Sequence, residues 1–493
     1  MTLRKIIQHL LFFIGLFALA VLIYRNGLHI PYYADDYQRV FTNPGEAISQ
    51  AFSKATISDG SYRPLETIAL GIIQKNWGWD TFPFRILSLL FHAAGAFLVF
   101  HALRFRKIDF WAAILGAIFV VISQMSAAAV LGNDTQSQIT GAFFSALSLW
   151  LLYRYNLDSD NHWRYVCSVS FFFLALISKE TSTGLCLSVA FMIYVMQPGK
   201  RSFRIKQTVL RLLPYALGFV TYWVLRTNGG AASPSFGNAN LSLKFGANIP
   251  INIGLFVFQS ILPFSSMAIV KAMYYKDHLR LALMLLFTAL FAFSIGYGLW
   301  RSPHRKIIKA LCVIIFCGWF PAMILNHISE LYAYSSVFPI GVLFGIGVEW
   351  YLQDKIIGRS RVAFFCVMFT LFFAAMANER GVDEKAVSMK RQGDRAAIFL
   401  PQIVALAKTM PQNKWMYLVS PPDSSFEYSM FAIHGFRASM TADSLVRFLS
   451  NRPDIEIYPA DSARSVAQSK IHPGIIFTFD PATLHVYPVT PIP

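Results

Sequence analysis

Charge is what this sequence has least of. Of its 493 residues only 14% are Asp, Glu, Lys or Arg, where a soluble globular chain carries about 25%. So low a share excludes a water-facing surface over most of the molecule. Acidic residues are the scarcer sign, 26 against 43 basic, which leaves a formal net charge of +17. Cysteine is nearly absent. Cys167, Cys186, Cys312, Cys317 and Cys366 all fall inside apolar runs, where a thiol behaves as a small hydrophobe. None lies in the polar loops or the C-terminal region, which excludes a disulfide framework and a cysteine metal cluster. No self-similarity recurs at a period of 20–50 residues, which excludes a repeat array.

What the chain has instead is hydrocarbon: 55% hydrophobic residues, 45 of them Phe. Apolar runs near twenty residues recur along most of its length, each able to cross a core of about 30 Å. Eleven spans are expected, at 6–24, 83–103, 110–130, 138–153, 164–178, 181–196, 212–226, 279–300, 307–325, 336–352 and 361–378. Ile6–Tyr24 lacks a small-residue cleavage site and reads as a retained first helix. The basic residues sit in short clusters between runs, as a topology signal does, and not as a nucleic-acid surface; no nucleic-acid partner is expected. With the N-terminus inside, the inner loops collect Arg4 and Lys5; Arg104, Arg106 and Lys107; Arg154 and Arg164; Lys200 to Arg211; Arg301 to Lys309; and Lys355 to Arg361. The turns at 131–137 and 326–335 hold no Lys or Arg. That asymmetry sets the orientation.

Residues 1–378 thus read as a membrane domain and 379–493, about 115 residues with charge, Pro and alternating stretches, as a small soluble α/β domain on the outer side. The fold class expected is an α-helical polytopic membrane protein with outer loop helices. Residues 25–82 form a large first outer loop. Within it LETIALGIIQKNWG, after Pro64, puts Ile68, Ile72, Ile73 and Trp77 on one face, as in a helix lying on the bilayer. The apolar stretch 250–271 is broken by Pro250, Pro263 and paired serines, and counting it as a span would put RSPHRK on the wrong side. It reads as re-entrant or interfacial.

Ionisable side chains are few enough to be weighed singly. Asp35 and Asp36, in PYYADDYQRV, stand between Tyr33 and Tyr37. In a partly dehydrated cleft two carboxylates do not both ionise freely, so one pKa rises towards the range of a general base. The alternative is a divalent cation held through oxygen, and the plain reading is two solvated charges. Arg63, in SYRPL, offers a fork for phosphate or simply snorkels to the interface. Asp134, in LGNDTQSQ, is a turn residue or a further carboxylate facing the first loop. Lys179 and Glu180, in ISKETSTG, sit in a turn too short to leave the membrane region, where ionisable groups are costly. They are either a structural pair or, through Lys179, a phosphate ligand. Glu330, Tyr332 and Tyr334, in NHISELYAYSS, line a positive-free outer turn as substrate contacts or as an aromatic belt. His92, midway along the second span, is a substrate contact or a satisfied interhelical hydrogen bond. Given the topology, Asp35, Asp36, Arg63, Asp134, Lys179 and Glu330 all fall on one face.

In that order the motifs resemble the C-type glycosyltransferase superfamily. The likeness is to protein O-mannosyltransferase-like members and to TPR-bearing mannosyltransferases, though no TPR array follows here. It is carried by ADDYQ, SYRPL, RILSLLFHAAGAFLVF, LGNDTQSQIT, ALISKETS and ISELYAYSS over roughly residues 1–380. The resemblance implies an inverting enzyme of a bacterial plasma membrane with a polyprenyl-phosphate-linked sugar as donor. The acceptor would be a glycan, lipid or protein hydroxyl at the outer face. On Asp35 it implies the base, and on Arg63, Lys179 and the Glu330–Tyr334 segment contacts to phosphate and sugar, with no metal essential. Those relatives often carry Arg directly after the Glu, where this chain has Leu331. Two other readings remain at this level: a flippase for lipid-linked sugar, and a polysaccharide polymerase or ligase.

Overall fold

The computed structural model describes residues 3–57, 60–158, 160–196, 201–232, 242–264, 266–326, 329–352, 359–412, 414–420, 443–460 and 474–489. Helices dominate. In chain order they are α1 (Leu3–Ile23), α2 (Pro44–Gln50), α3 (Pro64–Trp77), α4 (Phe82–Phe105), α5 (Phe110–Ile122), α6 (Gln124–Leu131), α7 (Gln136–Leu157), α8 (His162–Leu176), α9 (Leu185–Met196), α10 (Arg201–Asn228), α11 (Asn248–Ile261), α12 (Ser266–Tyr274), α13 (His278–Arg301), α14 (Arg305–Met323), α15 (Val337–Leu352), α16 (Arg359–Thr409) and α17 (Asp443–Ser450). Short 3-10 segments at Ala34–Arg39, Glu180–Gly184 and Glu330–Ser336 join them.

Local chemistry sets several boundaries. Asn43 caps α2 by accepting from the Glu46 N–H, and Asp109 caps α5 from Trp111 and Ala112. Pro64 opens α3, and Gly78 at φ +62° closes it. Among the described residues six helices are long and apolar enough to cross a membrane. A seventh appears if α5 and α6, bent by 47°, count as one. Each of the eleven apolar runs lies on a helix or on a 3-10 segment leading into one, and the chain is a multi-pass membrane protein. The run at 250–271 is two short helices, α11 and α12, parted near Pro263.

Helices meet through small residues, as packing in lipid demands. A Cβ on Gly116 would stand 2.9 Å from the Gly341 carbonyl, and one on Gly298 would stand 2.1 Å from that of Gly347, so α5 and α13 press directly on the α15 backbone.

α3 departs from the single apolar face read in its sequence. Ile72 and Trp77 are exposed, while Ile73 turns inward with Leu70 and Phe84. Glu66 and Gln74 are buried on the same inward face. The physical reason is polar: those two side chains have partners in the first loop that no bilayer surface supplies.

α16 runs 51 residues without a break, about 75 Å, through the change in composition at 378. Beyond it lies a four-stranded mixed sheet ordered β2 (Glu456–Ala460), β1 (Trp415–Val419), β3 (Gly474–Phe479), β4 (Val486–Val489). β1 is parallel to β2 and β3, and β4 is antiparallel to β3. α17 and the end of α16 cover the sheet with Val446, Leu445, Phe399 and Ile403. Tyr417 is buried under Gly474 and belongs to this core. Trp415 is half-buried, and Phe426 and Tyr428 lie outside the described residues.

Candidate active site

The Ala34–Arg39 turn starts from Tyr33, whose backbone N–H donates to Asp36 Oδ2 at 3.1 Å. Successive residues on a 3-10 turn diverge by about a third of a circle, so the two aspartates meet different surroundings. Asp36 is buried, and Asn133 Nδ2 donates to its Oδ2 at 2.9 Å. Asp35 is half-buried, with Gln38 Nε2 3.5 Å from its Oδ1. Burial, then the charge of Asp134, lift the Asp36 carboxyl well above the usual carboxylate range, against the pull of Asn133, the Tyr33 N–H and Arg39. The largest like charge acting on Asp36 is that of Asp134, from the α6–α7 turn. Tertiary folding thus brings to Asp36 a further carboxylate besides the one next to it in sequence.

Asn133 is itself held by a residue that sequence reading had passed over. Arg85, fully buried near the start of α4, donates to the Asn133 Oδ1 at 2.8 Å. It also donates to the carbonyls of Gly27 and Gly132 at 3.1 Å each, and to that of Val130. The fork thus satisfies carbonyls at the end of α6 and aims the Asn133 amide at Asp36.

On the other side of Asp36 begins a chain of buried ion pairs. Arg39 Nε lies 3.4 Å from Glu66, Arg63 bridges Glu66 at 3.3 Å and Glu180 at 3.0 Å, and Arg226 reaches Glu180 at 3.7 Å. Lys179 is half-buried beside them; dehydration, then Arg63, bring its amine down to about 8 against the attraction of Glu180 and Glu66. Four cations here face two carboxylates. Glu66, with no exposed side-chain surface, is the anion that lets Arg39 and Arg63 sit side by side. Removal of one member of such a network costs several times what the pairing itself contributes.

Tyr332 joins the two halves. It is half-buried and in electrostatic range of Arg63, Glu180 and Asp134. Tyr334, two residues on, is fully buried with its hydroxyl 2.9 Å from His92 Nδ1. His92 and Tyr334 thus brace the 330–336 segment against α4, and His92 lies within the bundle core. Glu330 is buried and accepts from Lys385 Nζ at 2.6 Å. Lys385 comes from α16, beyond the 378 boundary, so a cation that the sequence lacked after Glu330 arrives from 55 residues downstream. His327 lies outside the described residues. Adjoining Lys179, a cavity of about 40 Å³ between α7, α9 and α14 is lined by Gln138, Ser145, Thr181, Ser188 and Ser335.

Asp36, Asp134, Arg63, Lys179, Glu180 and Tyr332 are thus brought to one place, with Asp35 beside them. Glu330 adjoins through its own segment. Arg39, Glu66, Asn133, Arg85, Arg226 and Lys385 were missed. Arg63 and Glu66 are three apart on the first turn of α3, a spacing that signals a pair; nothing local points to Arg85 or Lys385. Among the described residues no three His, Cys, Asp or Glu side chains converge to share a metal ion.

The fold is similar to that of ArnT from Cupriavidus metallidurans bound to undecaprenyl phosphate. The TM-score is 0.51 and the identity 12%, over 95% of this chain and 93% of that one. AglB from Archaeoglobus fulgidus, an oligosaccharyltransferase in complex with an inhibitory peptide and a dolichol-phosphate, matches with a TM-score of 0.48 and 12% identity, over 100% of this chain and 75% of that chain. At such identity the likeness speaks for the fold. No protein-family model and no curated protein matches the sequence.

Proposed function

We propose that this chain is an inverting glycosyltransferase, related in mechanism to the mannosyltransferase-like enzymes of its fold class. It moves one sugar from a polyprenyl-phosphate-linked donor to an acceptor hydroxyl, at the outer face of a bacterial plasma membrane. The C-terminal sheet stands on the same outer side. One observation carries the reading: carboxylates and cations, Arg63 and Lys179 among them, meet within one rim, with Tyr332 between them. The fold shared with a protein that binds undecaprenyl phosphate supports it.

In this reading Asp35, the less buried of the pair, takes the proton of the acceptor hydroxyl as its oxygen attacks the anomeric carbon. The bond from that carbon to the phosphate oxygen breaks, the configuration inverts, and the carrier leaves as polyprenyl phosphate. The charge on the leaving phosphate develops beside Lys179 and Arg63, which a carboxylate could not stabilise. Asp36, tied to Asn133, holds the turn that presents Asp35.

The test is incubation of the purified protein with a panel of radiolabelled polyprenyl-phosphate sugars and product analysis by mass spectrometry. Asp35→Asn is expected to reduce transfer by at least about 10² with normal insertion and expression. Full activity in that variant would falsify the assignment. Translocated lipid without a glycosidic product points to a flippase instead, and many added sugars to a polymerase.

A further inference from the structure

From the small cavity beside Lys179, with which it shares Ala146, Leu149, Ile314 and Pro339, a second cavity of about 370 Å³ runs towards the other end of the bundle between α4, α7, α9, α14 and α15. Its walls are hydrocarbon and aromatic, among them Leu149, Phe191 and Ile314. Volume on that scale takes about a dozen water-sized groups, and a wall so apolar gives water too few partners. It is built for a flexible hydrocarbon chain.

The polar groups on its wall gather at one end. Arg106 follows directly on the last residue of α4, and Lys306 is the second residue of α14. Arg106 donates to the Tyr153 hydroxyl at 2.8 Å, and its Nε is buried without a hydrogen-bond partner among the described residues. Arg154 lies against the same wall, 5.5 Å from the ring of Trp150. No Asp or Glu is among the described lining residues, and neither Arg106 nor Lys306 makes an ion pair among the described residues. A buried guanidinium nitrogen without an acceptor is a cost that a ligand oxygen removes.

We propose that this groove is a binding site for an anionic phospholipid of the adjoining leaflet, with one hydrocarbon chain along α9 and α14 and the phosphate between Arg106 and Lys306. Charge complementarity selects the occupant: a zwitterionic lipid brings its own cation to a mouth that already holds two, whereas an anionic headgroup meets both unopposed. Glycosyl transfer is not required for such binding, so either can fail without the other.

The full chain in nanodiscs is treated with phosphatidylglycerol or phosphatidylcholine carrying a photoreactive acyl chain, and crosslinks are mapped by mass spectrometry. Crosslinks on α9 or α14 are expected, about tenfold stronger for phosphatidylglycerol, which corresponds to 1.4 kcal/mol. The paired substitution Arg106→Gln and Lys306→Gln brings the two lipids level, and its unfolding temperature reports whether the bundle is intact. Equal labelling in the wild type overturns the proposal, as does a preference that survives the paired substitution in an intact bundle. Competition by glycerol phosphate as effective as by the lipid would mark a soluble anion site and overturn it as well.

Discussion

Asp36 concentrates the physical tension of the site in one side chain. Its carboxyl is buried, accepts two N–H donors and faces Asp134. In the unfolded chain it ionises near 4, whereas in the folded chain it keeps its proton to much higher pH. Between those values the unfolded state sheds the proton and the folded state does not, so this group's contribution to stability falls as pH rises. Asp36→Asn removes that slope while keeping an acceptor for one N–H. Unfolding temperatures of wild type and variant, taken from pH 5 to 8, are expected to diverge in the variant's favour as pH rises, by about 1–3 kcal/mol at the upper end. A gap independent of pH would mean that Asp36 is ionised in the folded chain.

At the scale of elements, α16 is the part with most to connect. Within three residues it offers Asp383 to Asn26 at 2.8 Å, Glu384 to Lys271 at 3.4 Å and Lys385 to Glu330 at 2.6 Å. Eight residues beyond Lys385 it crosses Pro31 so closely that a Cβ on Gly393 would stand 2.8 Å from the Pro31 carbonyl oxygen. One helix therefore holds the first loop, α12 and the 330–336 segment together. Lys385→Met leaves Glu330 charged and buried, at a cost of about 3–5 kcal/mol. Adding Glu330→Gln removes the carboxylate charge that Lys385 faced, so the double variant is expected to regain at least about 1 kcal/mol over Lys385→Met alone. Additive losses in thermal unfolding would show that the pair is not coupled.

For the whole molecule the open question is which end faces the cytoplasm. From the basic clusters between apolar runs we propose that the candidate site faces outward and the charged mouth of the lipid groove inward. In a cysteine-free background, Ser53→Cys in the first loop and Ala482→Cys near β4 are expected to react with an impermeant maleimide on intact cells. Pro303→Cys, between α13 and α14, is expected to react only after permeabilisation. The reverse pattern would invert the molecule and place the carboxylate cluster inside.

The helical membrane bundle was legible in the sequence, because burial in hydrocarbon leaves a backbone few ways to satisfy its polar groups, and runs such as Phe82–Phe105 declare this by composition alone. It also picked out Asp36, Arg63, Asp134 and Lys179, since a charge in so apolar a chain is conspicuous. It was weaker on α7 and α8: the first carries Gln136, Ser137 and Gln138 in its opening turn, and the second has 15 residues, about 23 Å. How the charges pair came from the folded chain alone. Coulomb interactions act through space, so Asp36 answers to Asp134, 98 positions away in the sequence, and Glu330 to a lysine 55 residues away. Spacing along a chain reports neighbours within a turn of helix; it carries no record of which loops fold back onto the same rim.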